Sequence, residues 1–402
     1  MKNQSLTKHA ENTEYNKISM INNNSKVLYH QNKIKELQEG MTTSPTCIQV
    51  DLEAFCNDNC GFCTTRKDNG YNNEMLKLIQ IDKPDEKTTI NEFLPIGKPS
   101  DKSRLDLRMA HDLPKMMKDA NIPAIELTGG GEPTLWPAFD TLIENLAKND
   151  IEIGLITNGS NISEKRAHLL ANHCTWIRFS MDASNQDMHQ KIHRTPNHDF
   201  NKRIENIRNV IRLRNEEVVI GVSFIITPIN KLDIENACKF YSDIKSEYLR
   251  FSWMYDRTGN ADLTNDEISQ IKKTLYRCKQ EYDSEYFKVL YDDDRIDLFS
   301  KPNDDFKKCH MQRFVWAIGA DANVYPCCIQ KYNPGFEIGN IQEKTLQEII
   351  DGEFSKKKIN QLDPAGCHPC WMREKNKTID MILNSSQTVP DEAKKPPHVN
   401  FV

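Results

Sequence analysis

The sequence predicts an α/β fold in which six strand–helix units form a partial (β/α)6 barrel, followed by a small cysteine-rich domain. Between residues 46 and 300, short apolar strands alternate with helical patterns, which is typical of parallel strands buried on both faces. Beyond residue 300 the alternation stops, and five cysteines are spread over residues 309–371. A doubly wound sheet is the alternative architecture for the same alternation.

Each element is predicted from its hydrophobic period and its flanking turn residues. The predicted strands lie at 48–55, 124–127, 151–156, 176–182, 218–226 and 249–255. The predicted helices lie at 105–119, 139–148, 164–172, 200–214, 234–244 and 266–282. A hairpin at 314–326 and a short helix at 345–350 follow. In both candidate folds, ligands bind at the carboxyl ends of the strands, so motifs at those ends carry the functional prediction.

The composition divides the chain into four parts. Residues 1–45 are polar and predict a mobile or loosely docked N-terminal extension. Residues 46–300 are the predicted core, with a polar insertion at about 68–103. The predicted cysteine-rich domain covers residues 301–375, and residues 376–402 form a polar tail that we expect to be loosely ordered at its end.

Composition also restricts the function. The 402 residues are 38% hydrophobic and 28% charged, with a net charge of −5, which gives no electrostatic reason to expect a nucleic-acid partner. No apolar run reaches the length of a membrane span, and the N-terminus lacks the apolar region of a secretory signal. Twelve cysteines in such a chain predict metal binding or thiol chemistry in the reducing cytoplasm.

Three cysteines follow the first predicted strand within eight residues: Cys56, Cys60 and Cys63. Soft thiolate ligands suit iron, so this C-x3-C-x2-C run predicts three ligands of a 4Fe–4S cluster. The fourth iron then has no protein ligand and is free to chelate another molecule. A zinc site is the alternative, although structural zinc sites use four protein ligands.

A glycine-rich element follows the second strand, Gly130-Gly131-Glu132-Pro133. Together with the cysteine run and Phe62 before its last cysteine, this element makes the chain resemble the radical S-adenosylmethionine (SAM) superfamily. The resemblance implies two cofactors, a 4Fe–4S cluster and SAM, whose amino and carboxylate groups chelate the open iron. It further implies that one electron cleaves SAM to methionine and a 5′-deoxyadenosyl radical, which abstracts hydrogen from substrate.

The resemblance also implies a set of SAM contacts at the strand ends. Glu132 is expected to accept a hydrogen bond from the SAM ammonium, and the glycines to admit the methionine end closely. Arg194 is a candidate partner of the SAM carboxylate. A helix cap or a turn is the alternative role for the residues after strands three and four. The expected cofactor-binding set is Phe62, Gly130, Gly131, Glu132, Pro133, Asn158, Ser180 and Asp182.

A second group of thiols, Cys309, Cys327, Cys367 and Cys370, has the spacing of four metal ligands. The segment around it resembles the "twitch" form of the SPASM extension, as in the 2-deoxy-scyllo-inosamine dehydrogenase type, and implies one auxiliary 4Fe–4S cluster. Cys328 is an alternative to Cys327, and a structural zinc is an alternative to the cluster. The other four cysteines are expected in the core: Cys47, Cys174, Cys238 and Cys278.

These observations predict a radical SAM oxidoreductase that oxidises a small polar metabolite, such as a sugar, a cyclitol or a nucleotide-linked sugar. The auxiliary cluster would accept the electron left on the substrate after hydrogen abstraction, and an external flavodoxin or ferredoxin would supply the electron that cleaves SAM. The candidate catalytic residues are Tyr255, Arg257 and His310, with His189, His193 and Asp256 as further possibilities. The alternatives are a peptide-modifying enzyme, an epimerase or tRNA-modifying enzyme, and a zinc-binding interaction module.

Overall fold

The computed structural model describes residues 24–63, 103–196, 198–254, 263–291, 306–364, 367, 370–384 and 398–402. Within this part of the chain, ten strands form one sheet. They are β1 (Cys47–Asp51), β2 (Ala124–Thr128), β3 (Glu152–Thr157), β4 (Trp176–Ser180), β5 (Val219–Ile226), β6 (Tyr248–Trp253), β7 (Lys288–Leu290), β8 (Val315–Ile318), β9 (Asn323–Tyr325) and β10 (Gly339–Asn340).

The order of the strands is β10-β9-β8-β1-β2-β3-β4-β5-β6-β7. All pairs from β8 to β7 are parallel, whereas β8, β9 and β10 pair antiparallel. Strand β8 of the cysteine-rich domain therefore extends the barrel sheet by pairing directly with β1, Cys47 opposite Val315. This parallel α/β sheet with its appended domain confirms the predicted fold class.

Helices cover the outside of the sheet, and most coincide with the predicted ones. They are α1 (Gln31–Gln38), α2 (Met109–Asp119), α3 (Phe139–Lys148), α4 (Glu164–His173), α5 (Gln186–His193), α6 (Asp199–Leu213), α7 (Ile234–Asp243), α8 (Asn265–Tyr282), α9 (Leu346–Asp351), α10 (Glu353–Gln361) and α11 (Arg373–Leu383). Within the described ranges, no helix combines the length and the apolar character that crossing a bilayer requires.

Amphipathic spacing explains why these helices pack on the sheet. In α3 the buried residues are Phe139, Leu142, Ile143 and Leu146, which repeat at three- and four-residue intervals along one face. Each such side chain contributes about 1.5–3 kcal/mol when it is buried. Helix α5 was not predicted because its sequence is polar; it begins where Asn185 accepts a hydrogen bond from the backbone N–H of Met188 at 3.0 Å.

Part of the predicted N-terminal extension is built into the fold. Residues Asn24–Tyr29 form a 3-10 helix, and α1 follows. Val27 and Ile34 are buried in one cluster with Phe314 of the cysteine-rich domain. Residues 24–38 are therefore packed, in contrast to the expected loose docking, because these two apolar residues cover the domain's inner face. The predicted insertion lies outside the described residues except for Ser103.

The end of the chain is also packed, contrary to expectation. Phe401 is 8% exposed and meets Trp176 edge-on, with 5.4 Å between ring centroids. It belongs to a cluster made of the first residues of five strands: Cys47, Ala124, Trp176, Val219 and Tyr248. The buried ammonium of Lys26 donates a hydrogen bond to the Phe401 carbonyl at 2.8 Å. The tail thus closes the amino-terminal end of the sheet, opposite the functional end.

Candidate active site

A cavity of about 510 Å³ lies at the carboxyl ends of the parallel strands. The last residues of β2, β3, β4 and β6 line it, as do all three cysteines of the Cys56–Cys63 loop. Residues 328–329, 331–332 and Trp371 of the cysteine-rich domain line the opposite wall. Both predicted functional regions therefore face one space, of a size suited to a small-molecule site.

The end of helix α5 holds the cysteine loop in place. The backbone N–H of Asn59 donates to the His193 carbonyl at 3.0 Å, and that of Gly61 donates to the Ile192 carbonyl at 3.2 Å. These carbonyls can accept from the loop because the last turn of a helix leaves its acceptors without intrahelical partners. Arg194, just beyond this end, lies against Gly61; a Cβ on Gly61 would lie 3.2 Å from its Nη2. Its predicted bond to the SAM carboxylate stays a prediction.

A buried ion pair fixes the middle of the same loop. Asp58 accepts two hydrogen bonds from Arg203 of α6, at 2.5 and 2.8 Å, and the two side chains are 2% and 0% exposed. Arg203 also donates to the Asn158 carbonyl at 3.1 Å. Burial alone would raise the pKa of Asp58, but the hydrogen bonds from Arg203 and His193 hold it well below its usual range.

His193 lies directly behind Cys60. Its Nδ1 is 3.0 Å from the Cys60 Sγ, and its Nε2 is 3.0 Å from the Met181 carbonyl oxygen. Asp58, Cys60 and His193 bring ligand atoms within 4.8 Å of one another, close enough to hold a single metal ion. Because Asp58 is already committed to Arg203, the arrangement is better suited to orienting Cys60 for a cluster.

The other histidine predicted here does not reach the cavity. His189 is fully buried and stacks on His193 with 4.5 Å between ring centroids. Burial lowers its pKa to about 2, so the ring is neutral. It supports His193 from behind, and the suggestion that it contacts substrate is wrong.

Hydrogen bonds from the residues after β2 and at the end of β3 hold the Glu132 side chain in place. One carboxylate oxygen accepts hydrogen bonds from the Thr134 N–H (3.1 Å), the Thr134 hydroxyl (2.7 Å) and the Thr157 hydroxyl (2.6 Å). The other accepts from the Asn158 N–H at 2.7 Å. Burial raises the pKa of Glu132, and these donors oppose the rise. Glu132 thus joins the loops after β2 and β3 and also lines the cavity, and its hydrogen bond from the SAM ammonium stays a prediction.

The glycines of the same element are required for close packing. A Cβ on Gly131 would lie 2.2 Å from the Phe55 carbonyl oxygen, at the entrance of the cysteine loop. The next backbone N–H, that of Glu132, donates to the same carbonyl at 3.0 Å. Pro133 then begins a 3-10 helix, Pro133–Leu135. The glycine-rich element thus packs against the start of the cysteine loop, and Gly130 directly precedes the residue in closest contact, Gly131.

The remaining predicted SAM contacts all lie in the cavity wall. Asn158 donates to the Asn57 side chain at 2.9 Å, with its amide nitrogen 3.9 Å from the Cys56 Sγ. Asp182 has a left-handed backbone (φ 52°) and accepts from the Ile225 N–H at 2.6 Å. Ser180 precedes it at the end of β4. Phe62 lines the same wall and meets His193 edge-on.

The second thiol group also comes together. Burial and the neighbouring thiols of Cys327 and Cys309 raise the pKa of Cys367 to about 12. Burial, Cys309 and Cys327 likewise raise the pKa of Cys370. Backbone N–H groups of Ile329 and Gln330 hydrogen-bond to Cys327, as backbone amides commonly do at cluster ligands. The four predicted ligands are therefore neighbours.

Cys328 lies in the cavity wall beside this group. It lines the cavity, whereas Cys327 does not, and its effect on the pKa of Cys370 is smaller than the effects of Cys309 and Cys327. This placement favours Cys327 as the fourth ligand, as the spacing predicted. The four cysteines predicted to be core residues, Cys47, Cys174, Cys238 and Cys278, are all buried.

The three main candidate catalytic residues are Tyr255, Arg257 and His310, and none of them is found in the cavity wall among the described residues. Tyr255, Asp256 and Arg257 lie outside the described residues. His310 does not line the cavity, and its Nε2 is 3.1 Å from Asp380 of α11, so its position lends no support to the predicted catalytic role. Residue type and spacing placed it beside Cys309, but the side chain turns towards the helix that covers the domain.

Sequence reasoning missed three basic residues of the cavity. Arg178 of β4, Arg250 of β6 and Lys331 line it. The first two alternate with apolar residues along their strands, which is a signal that they point to the barrel interior. Lys331 lies four residues after Cys327, and nothing in that spacing indicates a cavity residue.

Comparison with known proteins identifies the family. A profile described as the radical SAM superfamily matches residues 53–241, and one described as an iron–sulfur cluster-binding domain (SPASM) matches residues 309–371. The chain belongs to the radical SAM superfamily. As a radical SAM enzyme with a SPASM domain, it has donor sets that fit their cofactors. Three thiols leave one iron open for SAM, and four enclose the auxiliary cluster.

Two curated relatives match parts of this radical SAM protein. It is 30% identical over 179 residues to the protein named GTPase Obg from Brachyspira hyodysenteriae, covering 42% of this chain and 26% of that protein. The chain thus spans about a quarter of that relative's length. It is 23% identical over 290 residues to the "Tungsten-containing aldehyde ferredoxin oxidoreductase cofactor-modifying protein" of Pyrococcus furiosus, covering 65% of this chain and 78% of that one.

Solved structures share the fold at low identity. SuiB of Streptococcus suis bound to the precursor peptide SuiA has a TM-score of 0.57 and 12% identity, covering 84% of this chain and 78% of that chain. Native anSMEcpe with bound AdoMet has a TM-score of 0.55 and 17% identity, covering 79% and 83%. BtrN in complex with AdoMet and 2-DOIA reaches only 0.39, which supports no argument about a shared substrate.

Proposed function

We propose that this radical SAM enzyme oxidises a small polar metabolite by two electrons. The observation that carries the proposal is the loop of residues 327–333, here called the bridging loop. It begins at the auxiliary ligand Cys327, its next two residues line the cavity, and Gln330 donates to the Sγ of the ligand Cys367 at 3.5 Å. Trp371, next to the ligand Cys370, lines the same cavity.

This arrangement supports electron transfer between substrate and the auxiliary site. SAM held by the cluster at Cys56, Cys60 and Cys63 supplies a 5′-deoxyadenosyl radical when one electron is delivered. Four protein ligands at the auxiliary site leave no iron free for substrate, which favours an electron-accepting role for that cluster. The bridging loop and Trp371 would hold substrate between the two sites and keep water out.

Part of the cavity lining suits a polar substrate. Arg178, Arg250 and Lys331 contribute cationic groups, and Ser223 and Ser252 contribute hydroxyls. Such groups recognise hydroxyl, phosphate or carboxylate oxygens. The Pyrococcus relative is named for the modification of a cofactor, which also favours a small molecule.

The deciding experiment is a deuterium-transfer screen. The enzyme, reconstituted anaerobically to about eight irons per chain, is incubated with SAM, dithionite and the filtrate of a deuterated cell extract. The filter has a cut-off of about 1 kDa, the upper range of small metabolites. We expect deuterium in 5′-deoxyadenosine. The matched control carries Cys56→Ala, Cys60→Ala and Cys63→Ala together and should form no 5′-deoxyadenosine. Stoichiometric zinc without iron, or no transfer from any fraction, would refute the proposal.

Peptide modification is the second candidate, because two structural neighbours, SuiB and anSMEcpe, have been solved with peptides. At 12–18% identity they support only the shared fold. Deuterium transfer from the fraction retained by the filter, and none from the filtrate, would favour this alternative over the small-molecule reading.

A further inference from the structure

The bridging loop reaches the barrel through a buried three-residue contact. Asp51, the last residue of β1, is fully buried. One of its carboxylate oxygens accepts from the Lys331 ammonium at 2.6 Å, and the other accepts from the Tyr332 hydroxyl at 2.7 Å. Lys331 and Tyr332 both line the cavity at the carboxyl ends of the strands. A carboxylate, an ammonium and a phenol therefore meet at the cavity wall.

The backbone at Tyr332 is strained. Its backbone has φ 63°, the left-handed region that is rarely adopted by bulky residues. Its ring occupies the space beside Gly319, where a Cβ would lie 2.6 Å from the ring. Such outliers gather at functional sites. A simple tie between the two domains would need neither the left-handed tyrosine nor a cavity position.

The hydrogen bonds of Tyr332 leave it one acceptor position. Its hydroxyl donates to Asp51 and accepts from the Ala320 N–H at 2.9 Å. A phenol oxygen has two lone pairs, so one remains for a group in the cavity. Lys331, with 12% of its side chain exposed, likewise has ammonium hydrogens beyond the one given to Asp51.

We propose that Lys331 and Tyr332 bind the hydroxyl of a secondary alcohol, and that Asp51 receives its proton through Tyr332 as the neighbouring carbon is oxidised. This assignment rests on the proposed function and specifies its substrate class. It also supplies a base that is connected to the cavity, whereas His310 does not line the cavity.

The proposed step removes one hydrogen atom, one electron and one proton from the alcohol. The substrate's C–H hydrogen atom passes to the 5′-deoxyadenosyl carbon, which becomes 5′-deoxyadenosine. An oxidised 4Fe–4S cluster held by Cys309, Cys327, Cys367 and Cys370 would accept one electron from the resulting ketyl radical. The O–H proton of the ketyl radical moves to the Tyr332 oxygen while the Tyr332 proton moves to Asp51, and a carbonyl group forms. Loss of the electron makes the hydroxyl strongly acidic, so even an ion-paired carboxylate is basic enough.

Burial and the negative charge of Asp51 raise the pKa of Tyr332 far above its ordinary value. The phenol therefore stays protonated and acts as a relay between substrate and Asp51. Lys331 has a separate part, because its charge stabilises the oxygen of the ketyl radical as the proton leaves.

The test uses the reconstituted two-cluster enzyme and the alcohol identified from the deuterated filtrate. For Tyr332→Phe we expect the ratio of ketone to 5′-deoxyadenosine to fall by about 100-fold, the low end of general acid–base effects. For Lys331→Met we expect the apparent KM for the alcohol to rise by about 10- to 100-fold, as for loss of a charged hydrogen bond.

Tyr325→Phe is the matched control, because Tyr325 also donates to a carboxylate, Asp321 at 2.8 Å, but does not line the cavity. It should leave the product ratio unchanged. If wild type transfers deuterium and Tyr332→Phe keeps the wild-type ratio, this proposal fails while the proposed function stands. A non-alcohol substrate also overturns it. If wild type transfers no deuterium, the proposed function fails and this assignment falls with it.

Discussion

Replacing Arg203 by Met should destabilise the protein and loosen the cysteine loop. Arg203 is fully buried and makes two hydrogen bonds to Asp58. Arg203→Met leaves the buried Asp58 carboxylate with only the longer contact to His193, at 3.5 Å, and removing one partner of a buried ion pair costs about 3–5 kcal/mol in comparable cases. Asp58→Asn is milder, about 1–3 kcal/mol, because Arg203 keeps a second carboxylate, Asp199, at 2.5 Å.

The two changes should not add. Once Arg203 is gone, a neutral amide at position 58 avoids the unpaired charge, so the double variant should be no less stable than Arg203→Met alone. The coupling energy would then equal the full cost of Asp58→Asn, about 1–3 kcal/mol. The measurement is urea unfolding of the cluster-free protein at pH 7 under anaerobic reducing conditions, with the iron bound after reconstitution as a second readout.

The pH dependence has a defined sign. Because the folded pKa of Asp58 is depressed, its stabilising contribution is complete above the unfolded pKa, about 4, and is lost as pH falls towards the lower folded value. The penalty of Arg203→Met should therefore shrink as pH drops below about 5. Additive single variants, with coupling below about 0.5 kcal/mol, or a penalty under about 1 kcal/mol, would refute the buried-pair reasoning.

Three further predictions concern ligand choice, packing and the tail. Cys327→Ala should reduce reconstituted iron from about eight to about four per chain, whereas Cys328→Ala should retain about eight; equal loss in both would contradict the assignment. Gly131→Ala should prevent iron binding at the first site, since its Cβ would lie 2.2 Å from a carbonyl oxygen of the cysteine loop; unchanged iron would show that the loop can move. Phe401→Ala should lower the unfolding free energy by about 3–5 kcal/mol. Phe354, which is 57% exposed, is the control, and Phe354→Ala should have a smaller effect. Equal effects of the two changes would argue against a packed tail.

Local signals in the sequence determined the parts of this protein that depend on period and spacing. The alternation of strands and helices predicted the parallel sheet, because burial on both faces requires continuous apolar strands. The C-x3-C-x2-C run and the glycine-rich element indicated the radical SAM family. The spacing of Cys309, Cys327, Cys367 and Cys370 indicated the second site, and these four are neighbours in the fold.

Only the tertiary structure decided which side chains meet across long stretches of sequence. Asp58 and Arg203 are 145 residues apart, and Asp51 and Lys331 are 280 apart, so no local period relates them. The hydrogen bonds that Glu132 accepts from Thr157 and Asn158, 25 and 26 residues away, likewise appear only in the folded structure. Polar contacts of this kind depend on how separate loops pack together, and a pattern of residue types along the chain carries no record of that packing.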